Sequence, residues 1–194
     1  MLTSRRQFLA TFLAAPALLP LSSAAQESPP ALLALTPACG DGAQTIAQTE
    51  GPYFTPDTPV KRNFVADAPG GVAIVIAGYV LTTGCMPVPE ALIELWHADE
   101  AGAYDNDGYR LRGHQFSDAQ GRWWFETIVP GLYPGRTRHF HVKVQRPGGP
   151  VLTTQLYFPG EAGNDRDRIF DGRLLLDISA APDGGYGRYD FVVS

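Results

Sequence analysis

His139 and His141 stand two positions apart in the run His139-Phe-His141-Val-Lys-Val-Gln145, and Tyr133 lies just upstream between the turn pairs Pro130-Gly131 and Pro134-Gly135. A strand sends residues i and i+2 to the same face. The two imidazoles therefore point together, over an apolar underside of Phe140, Val142 and Val144. Two imidazoles on one strand face can chelate a single ion, and histidine serves zinc, copper, iron and nickel alike. On spacing alone, a solvent-facing strand that happens to hold two histidines has equal standing.

The surrounding residue types narrow the choice of ion. Structural zinc wants cysteines with histidines, and hydrolytic zinc wants His-Glu-x-x-His or a third close ligand; neither pattern is present. A cupin would carry a glutamate shortly after the second histidine, where this chain has Gln145 and Arg146. A ferrous facial triad needs one carboxylate besides the two histidines, and Asp99, Asp105 or Glu126 could supply it from another strand. Tyrosine is the unusual member. A phenol ionises readily only beside a strong Lewis acid, and ferric iron suits phenolate plus imidazole. Tyr133 at a strand end can aim back at the histidine pair, and Tyr104 occupies a comparable place after another strand. His97 and His114 read as hydrogen-bonded structural histidines.

These residues need a scaffold of strands. Segments rich in β-branched and aromatic residues recur at 72–81, 91–98, 122–128, 138–145, 152–158, 174–178 and 189–193, separated by Gly, Pro and Asp punctuation such as Asp118-Ala-Gln-Gly121 and Asp183-Gly-Gly185. No amphipathic stretch of helical period is long. The expectation is all-β, an antiparallel β-sandwich with long functional loops. The run Leu92-Ile-Glu-Leu-Trp96-His97 is apolar on both faces, as in a strand covered on both sides.

At 194 residues, with 44% apolar side chains, the chain can build one full core. Residues 1–25 read as a separate element. Ser4-Arg5-Arg6-Gln7-Phe8-Leu9, an apolar stretch broken by Pro16 and Pro20, and Ser22-Ser-Ala-Ala25 look like a twin-arginine export signal. The apolar stretch falls short of the about 20 uninterrupted residues that span a bilayer, so no stable membrane insertion of the mature protein is expected. Residues 26–47 read as a Pro- and Ala-rich linker or arm, and residues 48–194 as the domain. Without residues 1–25, 13 basic side chains face 20 acidic ones, a charge of −7 that argues against nucleic acid as partner. Cys39 and Cys85 both lie in the exported part, where an oxidising compartment lets a disulfide form. One staple from the N-terminal segment to the first hairpin is expected, with a periplasmic or secreted location.

Six pieces in order then carry a resemblance: Gln48-Thr-Glu-Gly-Pro-Tyr53-Phe, Leu95-Trp-His-Ala-Asp-Glu-Ala-Gly-Ala-Tyr104, Arg112-Gly-His-Gln-Phe-Ser-Asp118, Pro130-Gly-Leu-Tyr133-Pro-Gly-Arg136, His139-Phe-His141 and Thr154-Gln155-Leu-Tyr-Phe-Pro-Gly160. Over roughly residues 48 to 170 the chain resembles the intradiol ring-cleavage dioxygenases, the family of protocatechuate and catechol dioxygenases. The resemblance implies non-haem Fe(III) held by Tyr104, Tyr133, His139 and His141. It further implies that Tyr133 acts as a base, that Arg136 steadies charge near the substrate, that Gln155 hydrogen-bonds behind the ligands and that Tyr53 stands at the pocket mouth. The implied reactants are a small aromatic diol and O2, giving a cis,cis-muconate-type product, and fold-level analogy suggests a homo-oligomer. Two features depart from well-known members: a short link from Tyr133 to His139, and Gly135 where protocatechuate enzymes commonly carry tryptophan. Both lead to the expectation of a shallower, more open pocket. Another metal enzyme built on the histidine pair, and a transthyretin-like binding sandwich, are the alternatives.

Overall fold

The computed structural model describes residues 39, 42–181 and 184–194; the expected export signal and all but Cys39 and the last residues of the expected arm lie outside the described residues. Among the described residues nine strands carry the fold: β1 (Ala73–Thr82), β2 (Leu92–Trp96), β3 (Arg112–Phe116), β4 (Arg122–Ile128), β5 (His139–Gln145), β6 (Val151–Tyr157), β7 (Asp177–Ala181), β8 (Gly184–Arg188) and β9 (Phe191–Val193). Among the described residues the remaining regular structure is three short 3-10 turns, Val65–Asp67, Asn164–Arg166 and Gly172–Leu174.

The strands form two sheets, ordered β4-β1-β8-β7 with β9 also on β1, and β3-β2-β5-β6. Their packing buries Ile74, Ile76, Trp123, Phe125 and Phe191 of the first sheet against Ile93, Leu95, Phe140, Val142 and Leu156 of the second. This is the expected sandwich, with one addition. β1 pairs in parallel with β8 and then with β9, whereas its other neighbour and every pair of the second sheet are antiparallel.

Sequence pattern located β1, β2, β4, β5, β6 and β9, but missed β3 and β8 and set β7 too early. In β3 the core-facing positions are Gly113 and Gln115, and the buried Gln115 amide donates to the Trp124 carbonyl, so no apolar alternation is written there. β8 is Gly-Gly-Tyr-Gly-Arg, which reads as a turn. At the expected start of β7, Leu174 instead closes a 3-10 turn capped by the Asp171 side chain, which accepts from the Arg173 amide.

Cys39 and Cys85 are joined, with Cα atoms 5.5 Å apart, as expected. Beyond the staple the chain lies along the sandwich: the Thr45 amide donates to the Val192 carbonyl and the Gln48 amide to that of Thr153. No helix of the described residues is long and apolar enough to cross a membrane.

Candidate metal centre

Because β5 alternates, Phe140, Val142 and Val144 go into the core and His139 and His141 go to the outer face of their sheet. That face is not bare. His139 is 3% exposed and His141 1%, because the segment around residues 49–58 and the loops after β2, β4 and β6 cover it. Register aligns one row across all four strands: Arg112 opposite Trp96, Trp96 opposite His141, and His141 opposite Gln155.

Two loops bring the tyrosines to this row. Tyr104 lies between β2 and β3, and Tyr133 between β4 and β5. The loops touch backbone to backbone, the Gly131 amide donating to the Asp99 carbonyl at 2.7 Å. A Cβ on Gly102, whose φ is +84°, would sit 2.2 Å from the Leu132 carbonyl oxygen, and one on Gly131 would sit 2.4 Å from the Gly102 nitrogen. Glycine at both positions is what lets the two tyrosines converge. Ring centroids then lie 5.7 Å apart for Tyr104 and Tyr133, 5.6 Å for Tyr133 and His139, 6.0 Å for Tyr104 and His141, and 4.7 Å for His139 and His141. Tyr53 stacks on Tyr104 at 4.4 Å and meets Tyr133 edge-on.

The polar atoms of this group converge with few partners of their own. The Nε2 atoms of His139 and His141 face each other at 3.1 Å. His139 Nδ1 lies 2.6 Å from the Thr137 carbonyl; only an N–H can bond there, which leaves a lone pair on Nε2. Tyr104 Oη and His141 Nδ1 are buried without a hydrogen-bond partner. Burial pushes the Tyr104 phenol well up and the Tyr133 phenol up, Arg136 opposing the latter. Burial, then Arg136, lowers His139 to about 4, and burial, then His139, holds His141 well below the ordinary imidazole range. Two neutral imidazoles and two phenols, that of Tyr104 without a partner, form a donor set suited to a hard, highly charged ion, which would favour both phenolates.

The carboxylates weighed as triad members are engaged elsewhere. Asp99 accepts from the amides of Ala101 and Ala103, Asp105 from those of Asp107, Gly108 and Arg110, and Glu126, on the other sheet, accepts from Asn63. Among the described residues no group of three His, Cys, Asp or Glu is placed to hold a metal. His97 is structural, with one ring nitrogen 2.6 Å from Thr127 Oγ1 and the other 2.7 Å from the Ala98 carbonyl. His114 Nδ1 meets Thr58 Oγ1.

Arg136 holds the centre's open side. Its Nη1 donates to Tyr133 Oη at 3.2 Å and its Nη2 to Gln155 Oε1 at 2.5 Å, while Nε donates to Asp167 at 2.8 Å. Burial opposes the charge on Arg136, yet the Asp167 bond raises its pKa above the ordinary value. Gln155 in turn donates to the Thr49 carbonyl and accepts from Tyr157 Oη. Beside Tyr133 and Arg136 a cavity of about 600 Å³ runs along Leu132, Gly135, Gly163 and Arg166. The space around Gly135 is open, with no atom within 4 Å of where its Cβ would be. Sequence reasoning missed Asp167, Trp96 and Tyr157. The sequence signal for Trp96 was its place inside the motif Leu95-Trp96-His97; its register with His141 shows only in the folded sheet.

The Dioxygenase family model matches residues 49–173. The chain is 32% identical over 154 residues to hydroxyquinol 1,2-dioxygenase of Nocardioides simplex, covering 66% of this chain and 52% of that enzyme. It is 35% identical over 135 residues to the protocatechuate 3,4-dioxygenase beta chain of Burkholderia cepacia, covering 60% and 57%. The chain thus spans about half the length of these curated relatives. Among solved structures, the dioxygenase domain of a dioxygenase and carbohydrate-binding fusion protein from Streptomyces sp. SirexAA-E shares 51% identity, with a TM-score of 0.76 over 78% of this chain and 99% of that one. Motif order, two-sheet architecture and these similarities agree: the chain belongs to the intradiol dioxygenase family.

Proposed function

We propose that this protein opens the ring of a catechol-type diol with O2, using non-haem Fe(III) held by Tyr104, Tyr133, His139 and His141. The observation that carries the reading is the convergence of two phenols on two imidazoles whose Nε2 atoms face each other at 3.1 Å. Ferric iron held by these four residues would supply the Lewis acidity that activates a diol toward O2.

The roles of the protein groups follow from their surroundings. Tyr104 is the permanent phenolate, enclosed behind Tyr53 with its oxygen buried. Tyr133 borders the cavity and accepts a hydrogen bond from Arg136, so as a phenolate it would be the group placed to take a proton at Oη from an entering diol. Arg136, fixed by Asp167 and Gln155, presents positive charge where negative charge gathers on the reacting ring. The stoichiometry is one diol plus one O2, and both oxygen atoms enter the cis,cis-muconate-type dicarboxylate. The open space at Gly135 leaves room for a substituted ring. A disulfide is compatible with action outside the cytoplasm, and we infer a periplasmic or secreted location.

Purified protein loaded with iron in air is expected to show the visible charge-transfer colour of tyrosinate on ferric iron, and a panel of catechols to give intradiol products. Iron-loaded protein without that colour, or extradiol products, would overturn the reading.

A further inference from the structure

The register row that carries His141 ends two strands away in a buried cation. Arg112 is 1% exposed. Its nearby acids are committed to other groups, Asp105 to three backbone amides and Glu94 to Thr58. The guanidinium is satisfied by main-chain carbonyls instead. Nε and Nη2 donate to the Asp105 oxygen at 2.8 and 2.5 Å, and Nη1 donates to the Tyr53 oxygen. Removing a guanidinium from water without an ion-pair partner is strongly unfavourable, so the location calls for a reason. The reason lies in what those carbonyls belong to. One fixes the backbone directly after Tyr104, and the other fixes the residue whose ring stacks on Tyr104 at 4.4 Å and 19°.

Tyr104 needs an outside constraint. Its oxygen has no hydrogen-bond partner, so its direction depends on its backbone and on ring contacts with Tyr53, Tyr133 and His141. We propose that Arg112 is a positioning residue for the centre, a single guanidinium that clamps the Tyr104 loop to the Tyr53 segment and thereby aims the Tyr104 phenol. The inference rests on the ligand set proposed above. Arginine suits the task because its planar fork serves two carbonyls in different directions, which an ammonium does not.

The test compares wild type with Arg112→Lys and Tyr53→Leu, first without metal. Arg112→Lys is expected to lose near-ultraviolet circular dichroism from the stacked tyrosines while keeping the far-ultraviolet spectrum, whereas Tyr53→Leu, which removes one of the two rings, is read by its iron affinity. With iron, both are expected to hold the metal about tenfold or more weaker in chelator competition, with a shifted visible band. Tyr53→Leu keeps the clamp's carbonyl and tests the same alignment should Arg112→Lys fail to fold. Iron affinity within about twofold of wild type in Tyr53→Leu, or that affinity together with a native near-ultraviolet spectrum in folded Arg112→Lys, would overturn the proposal. A wild type that binds no iron would instead overturn the ligand set, leaving the metal-free comparison to judge the clamp.

Discussion

The imidazole of His141 lies parallel to the indole of Trp96, with ring centroids 5.0 Å apart and 9° between their planes. His139 is oriented by its bond to the Thr137 carbonyl, but His141 Nδ1 has no such partner. Stacking on Trp96 therefore replaces the usual hydrogen bond in setting this ring. Next to its Cε1 atom Gly51, at φ +74°, brings its backbone so close that a Cβ would stand 3.1 Å from that carbon.

Replacing Trp96 by Phe should preserve a stacked ring and keep iron affinity within a few-fold, whereas Trp96→Leu should lower it by roughly 10- to 100-fold. Chelator competition on both variants checks this. Equal affinities for the two would mean that the stack does not orient His141.

The two tyrosines proposed as ligands should differ in their effect on stability. In metal-free protein Tyr104→Phe removes a buried hydroxyl that has no partner, so stability should rise by about 1 kcal/mol. Tyr133→Phe removes an acceptor of Arg136 and should lower stability by up to about 1 kcal/mol. Urea denaturation measures both. A destabilised Tyr104→Phe would show that its hydroxyl is satisfied in solution.

Asp167 is the anchor of Arg136, accepting from its Nε and from the amides of Thr137 and Ile169. Its side chain is 2% exposed. Asp167→Asn leaves the guanidinium without its counter-charge and should cost on the order of 3 kcal/mol in stability. Turnover should fall by about 10-fold or more, through the loss of a fixed charge beside Tyr133. Steady-state kinetics beside a denaturation curve separate the two effects, and an Asn variant with native turnover would remove Asp167 from the machinery.

The pH dependence of the metal-free protein has a definite sign. Burial lowers His97 to about 4, and His139 to about 4 as well, against 6.5 for a free imidazole. The unfolded chain binds these protons first. The stability these two contribute is therefore fully present above about 6.5 and is lost as pH drops toward about 4, each contributing on the order of 3 kcal/mol, and His141, held well below the ordinary imidazole range, adds to the loss in the same direction. Asp167 and Asp105, whose folded pKa values are depressed, add their loss only below about 4. Urea midpoints across this range check the prediction, and a flat profile between about 6.5 and 4 would contradict neutral burial of the imidazoles.

Much of the centre was legible because alternation in β5 fixes where His139 and His141 point, and because the motifs carry Tyr104, Tyr133, Arg136 and Gln155. What stayed hidden depends on pairing between distant segments. Trp96, His141 and Gln155 share a row only once β2, β5 and β6 are in register, and local pattern does not encode register between strands. Arg112 was hidden twice, since β3 itself lacks an apolar period where Gly113 and Gln115 face inward. Asp167 sits in a loop, and only the folded chain brings it to Arg136.

The parallel pairing of β1 has a kinetic consequence. Ile74 finds Gly185 across 111 residues of chain, whereas His139 finds Tyr157 across 18. Closing the longer loop costs more chain entropy and takes longer, so the hairpin bearing the two imidazoles should be in place before the opposite sheet exists to support it. Pulse-labelled hydrogen exchange during refolding is expected to protect the amides of β5 before those at Ile74 and Ile76, and the reverse order would refute this. The growing chain would then hold its histidine pair in a nearly finished geometry while the surface beneath is still open, making metal capture and sandwich closure two events separated in time.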